Sequence, residues 1–107
     1  MNEDSQQHNI RHILKVANLV GKAESNQFIE MFDDDDSTIR YWAVIGISAN
    51  NDVTRPILEQ IKALLDDSNP SVRIAAAEAL FIHGNEKKAM EVILKELNLG
   101  NDENNAK

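Results

Sequence analysis

The sequence predicts an all-α protein, an α-solenoid of about three helix pairs, and three observations carry the prediction. Residues Asp66 to Gly84, DDSNPSVRIAAAEALFIHG, join a polar turn, a capped helix start, an arginine in the first turn and a small-residue helix. The same grammar stands 33 positions earlier in Asp33 to Asn51, DDDDSTIRYWAVIGISANN. Self-similarity at that period marks stacked helical repeats. Two Pro and four Gly in 107 residues are also too few for a protein of many short strands and turns.

The elements follow in order. Residues 1–8 are polar and expected to be frayed. From Ile10 the apolar positions Ile10, Ile13, Leu14, Ala17 and Val20 predict one helical face, stopped near Gly21. A short second helix follows Ser25 as N-cap and buries Phe28, Ile29, Met31 and Phe32.

The third helix starts near Asp36, with Ile39, Trp42, Ala43, Gly46 and Ile47 on its core face. A shift of 33 gives Val72, Ala75, Ala76, Ala79 and Leu80 as the face of the fifth. Small residues at corresponding places, Ala43 with Ala76 and Gly46 with Ala79, admit a close partner helix. Each of these two helices is followed by another. Pro56 fits only a first turn, so the fourth helix begins near Thr54 and buries Ile57, Leu58, Ile61, Leu64 and Leu65. The sixth, after Gly84 as left-handed cap and Asn85 as N-cap, buries Met90, Ile93, Leu94 and Leu97. The repeat domain thus spans 9–98. Residues 99–107 are a C-terminal tail or the start of a truncated repeat that leaves an apolar helix-pair face exposed.

Composition excludes several function classes. Without Cys there is no disulfide and no thiolate metal site. A net charge of −7 repels a phosphate backbone, which argues against nucleic acid as partner. No apolar run approaches the ~20 residues of a membrane span. The start MNEDSQQHN lacks the basic and apolar regions of a signal peptide.

No constellation of nucleophile, base and oxyanion donors emerges, so no catalytic, cofactor-binding or metal-ligating residue is assigned. Asp33 to Asp36 crowd carboxylates without the Gly and late Glu of a calcium loop, and capping accounts for them. His8 and His12 are spaced i, i+4 without the Glu of a zinc-protease helix, and His83 stands alone. Tyr41 lies one residue off the core face, an exposed aromatic of the kind that anchors a partner, as does Phe81.

The Asp66–Gly84 segment resembles HEAT-like repeats of the short, phycobilisome-lyase type, whose pattern is roughly D-x-x-P-x-V-R-x-A-A-A-x-A-L-G. The pair R-Y-W-A and V-R-I-A-A-A-E-A-L is similar to the helical extension C-terminal to the catalytic domain of many bacterial sulfatases. The resemblance covers about Ile10 to Asn98 and implies an armadillo-type superhelix whose second helices line the inner surface. It also implies that Arg40 and Arg73 are structural, bridging to acids of the adjacent turn, with Trp42 packing in the core. Sulfatase chemistry needs a nucleophile in C/S-x-P-x-R, and the sequence Ser68 to Arg73 has one residue too many before the arginine. The resemblance therefore implies no enzyme in this chain. It implies a module for protein packing or protein–protein interaction, the accessory region of a sulfatase-like hydrolase, periplasmic or secreted in that case. Its partner would be the catalytic domain of a parent chain, another subunit, or a second copy meeting an exposed repeat face. The alternative is a free-standing scaffold or a lyase-type binding protein.

Overall fold

The computed structural model describes residues 3–84 and 87–97, and every regular element among them is helical. In order these are α1 (Glu3–Asn18), α2 (Ser25–Ile29), α3 (Ser37–Ser48), α4 (Arg55–Ala63), a 3-10 turn (Leu64–Asp66), α5 (Pro70–Gly84) and α6 (Lys87–Leu97). Helices α1, α3 and α5 pack side by side in that order. On their other side α2 packs on α3 and α4, and α4 with its 3-10 turn packs on α5, as does α6.

The two repeats share their turn chemistry atom by atom. The carboxylate of Asp36 accepts the N–H of Thr38 at 2.8 Å and caps α3, and the Asn69 side chain accepts the N–H of Ser71 at 2.8 Å and caps α5. Two residues before each cap, Asp34 accepts the N–H of Asp36 and Asp67 that of Asn69, both at 2.9 Å. These turns are Asx-type, and an aspartate at that place fixes the chain's entry into the helix.

The core runs through both repeats: Phe28, Ile39, Ala43, Val44, Ile47, Ile61, Val72, Ala76, Ala79 and Leu80 have no exposed surface. Gly46 is needed for a steric reason. A Cβ built there would collide with Cζ of Phe28, whose ring α2 drives against α3. The Phe28 ring is itself fully buried and has little room to retreat.

Several expectations are corrected. The backbone is helical from Glu3, so α1 begins before Ile10. A polar helix turn carries no apolar period, so nothing in the sequence reports it. On α1 the inward side is Val16 with Ile13, followed by Leu19 in the turn after the helix, whereas Ile10 and Leu14 are 56% and 55% exposed. The N-cap of α2 is Glu24, whose N–H is taken by the Gln27 side chain at 3.0 Å, and Ser25 is buried inside the helix. Gly84 is the last residue of α5, and the left-handed backbone falls at Gly21, φ 82°. Asn85, expected as an N-cap, lies outside the described residues.

The repeat also slips by one residue at its second helix. In α6 Ala89 is fully buried, Val92 and Ile93 are partly buried, and Leu94 is 50% exposed. An offset of 32 brings Ala89 opposite Ile57 and Ile93 opposite Ile61; an offset of 33 would bring Ala89 opposite Pro56. The cause is that α5 is 15 residues long against 12 for α3, which shortens the connection that follows.

Gly46→Ala is expected to lower stability by roughly 1–3 kcal/mol, because overpacking against Phe28 outweighs the gain in helix propensity. In a double-mutant cycle by chemical denaturation, Phe28→Leu should recover part of that loss. Strict additivity of the two changes would show that the ring is not the obstacle.

Candidate interaction surface

The sequence singles out Arg40, Arg73 and Trp42. Arg40 leaves the first turn of α3 and crosses to the following turn. Its Nε and Nη2 donate to the two carboxylate oxygens of Asp67 at 2.8 and 2.9 Å, and its Nη1 donates to the Asp34 carbonyl at 2.7 Å. The side chains are 12% and 7% exposed, so this is a largely buried, two-pronged pair. Arg73 repeats half of the pattern. Its Nη1 donates to the Asp67 carbonyl at 2.7 Å, the counterpart of Asp34, while its Nε meets Glu96 of α6 at 2.6 Å. Position 100, where the counterpart of Asp67 would stand, is a glycine, and the helix above supplies the carboxylate.

Electrostatics follows the geometry. The hydrogen bond from Arg40 holds the Asp67 carboxyl below the usual carboxylate range, against the opposing effect of burial. Hydrogen bonding to Arg73 does the same for Glu96, and both guanidinium groups are raised. One turn earlier His12 Nε2 lies 3.5 Å from the Asp34 carboxylate. His12, Arg40 and Arg73, from the three successive long helices, each face an acid of the element that follows.

Trp42 is half-buried and not on the fully buried face. Its ring meets that of Tyr41 edge-on, centroids 5.5 Å apart. The alternating Ala75, Trp42's repeat counterpart, is 2% exposed.

A second polar cluster escaped sequence reasoning. The Asp52 carboxylate accepts both the N–H and the hydroxyl of Ser25, and Asn50 Nδ2 donates to the Ala23 carbonyl at 2.9 Å. The Ser25 bonds lower the Asp52 carboxyl, and they close the first turn of α2 from across the chain. Thirty-three residues after Asn50, His83 Nε2 lies 2.9 Å from the Ser48 carbonyl. Positions 50 and 83 both tie a repeat to backbone of the one before. The recurrence of a polar side chain at both was the available signal.

Among the described residues no three His, Cys, Asp or Glu side chains converge on a metal-sized point, and no helix is long and apolar enough to cross a membrane. The surface left for recognition is of two kinds. Large apolar side chains stand exposed: Ile10 and Leu14 on α1, Phe81 and Ile82 at the end of α5, Leu94 on α6. A furrow also runs between α3 and α5 past Tyr41.

The Arg40–Asp67 pair makes stability depend on pH with a definite sign. Because the folded-state carboxyl of Asp67 is lowered, its contribution is present above the unfolded value of ~3.9 and is lost as pH falls below it. Asp67→Asn should cost about 2–3 kcal/mol at pH 7. In thermal melts from pH 7 to 2.5 the gap between wild type and variant should close below about pH 4. A gap that stays constant to pH 2.5 would show that the carboxylate charge is not what the arginine reads.

A family model for HEAT repeats matches residues 25–104. No curated protein and no solved structure matches the chain. HEAT repeats generally mediate protein–protein interaction and are generally non-enzymatic. With well over half of its length matched and two helix pairs built on one turn chemistry, the chain belongs to the HEAT repeat family.

Proposed function

We propose that this chain is a non-catalytic packing and interaction module, its three helix pairs wound as a right-handed α-solenoid. Arg40, Arg73 and Trp42 serve the fold in this reading, holding repeat to repeat. The observation that carries it is the set of large apolar side chains left at the surface of a HEAT repeat chain. Ile10 and Leu14 lie one turn apart on α1, each more than half exposed, and burying two such side chains contributes about 1.5–3 kcal/mol each. The mechanism is burial of these side chains against another protein surface.

The finer reading makes the module the accessory region of a sulfatase-like hydrolase, packed on that enzyme's catalytic domain and exported with it. The likeness of R-Y-W-A and V-R-I-A-A-A-E-A-L to sulfatase extensions supports it. Reading the coding sequence upstream tests it: a C/S-x-P-x-R motif in frame is expected, and an upstream region coding for no such motif overturns it. Self-association through an exposed repeat face is the other outlet for the same side chains.

Light scattering over a concentration series examines the surface itself. Mass should rise with concentration, and Leu14→Lys or Leu94→Lys should return the protein to a monomer without lowering its melting temperature. A strict monomer throughout the series would remove the second-copy reading.

A further inference from the structure

We infer that the furrow between α3 and α5 binds an extended peptide segment of a partner protein, one carrying a Lys or Arg two residues from an apolar residue. The inference rests on the interaction-module reading and assigns one surface and one chemistry to it.

Two clefts, of about 230 and 200 Å³, adjoin along the two helices and share Tyr41 and Ser71. Thr38 and Ser71 line one end, the Tyr41 ring with Ile45 and Ile74 the middle, and Glu78 the other end. Each cleft is smaller than the ~300 Å³ at which ligand pockets begin, so neither houses a cofactor-sized molecule. A chain segment lying across both places one side chain in each. An extended strand suits this, because its alternate side chains reach successive pockets while its backbone needs polar partners. The hydroxyls of Thr38, Tyr41 and Ser71 have no partner among the described residues and supply them.

Charge selects the occupant. Glu78 is the one charged side chain lining either cleft; it is exposed, has no partner among the described residues, and belongs to a chain of net charge −7. A cation in the second cleft meets Glu78 with its methylenes over Ile45 and Ile74, while an apolar side chain two residues away in the strand covers the Tyr41 ring in the first. The site is also preformed. Its walls are helices of successive repeats packed directly on one another, and the Arg40–Asp67 pair ties α3 to the turn that starts α5.

The molecule carries its own reporter, since Trp42 is its single tryptophan and meets the Tyr41 ring edge-on. A displayed library of random dodecapeptides, panned on the purified full chain, should enrich sequences with Lys or Arg two residues from an apolar residue. Synthetic copies without Trp should change Trp42 emission saturably. Glu78→Lys should weaken binding at least tenfold while melting as the wild type does, and Tyr41→Ala, which also removes core packing, should abolish binding in a chain still helical by circular dichroism. Glu78→Gln gives a milder control, with a loss of a few fold. Enrichment of acidic peptides would overturn the inference, as would binding indifferent to Glu78→Lys and Tyr41→Ala. An equal emission change with free arginine alone would reduce the site to a simple cation site and also overturn it. Should no such peptide emerge while scattering still shows assembly sensitive to Leu14→Lys, the furrow assignment fails and the module reading stands.

Discussion

The structure depends on one bond between repeats, the two-pronged contact of Arg40 with Asp67. In repeat proteins each repeat contacts its neighbours alone, so each interface must set its own register. Apolar packing among Ile39, Ala43, Val72 and Ala76 tolerates sliding; a planar guanidinium held by a carboxylate and a carbonyl does not. Desolvating such a pair cancels much of its attraction, so its value lies in geometry more than in net free energy. Asp67 serves both neighbours: its carboxylate receives Arg40 and its carbonyl receives Arg73. The turn between repeats is thereby a fixed joint.

Much of this was legible in the residues. The period of 33, the caps at Asp36 and Asn69 and the equivalence of Arg40 with Arg73 are all local features that a sequence displays directly. The partners of the arginines were less so. Asp67 falls in the adjacent turn, but Arg73 takes Glu96 from a helix because the corresponding turn position is Gly100. Which side of α1 faces inward was hidden as well. Ile10, Ile13, Leu14 and Ala17 form a plausible stripe, yet among the described side chains of α1 the one enclosed is Val16. The one-residue slip at α6 escaped because chance identities, Lys62 with Lys95 and Leu64 with Leu97, favoured the wrong offset. Gly46 read as a small residue for helix approach; its partner, an aromatic ring from the short α2, is a tertiary fact no local pattern carries.

The residues most typical of the repeat, Asp34, Asp36, Arg40, Asp67, Asn69 and Arg73, are engaged in bonds that fix the turns and the joint between them. Redirecting any of these groups to a ligand would leave a partly buried charge or a helix end unsatisfied. On the proposed reading, recognition falls to side chains the fold does not consume: the exposed Ile10, Leu14, Phe81, Ile82 and Leu94, with Thr38, Ser71 and Glu78 along the α3–α5 furrow. Such positions are free to vary without cost to the joint. A rigid frame whose surface side chains are not tied into it is what lets one repeat chemistry support unrelated partners, and here that surface is apolar at Ile10 and Leu14 and acidic at Glu78.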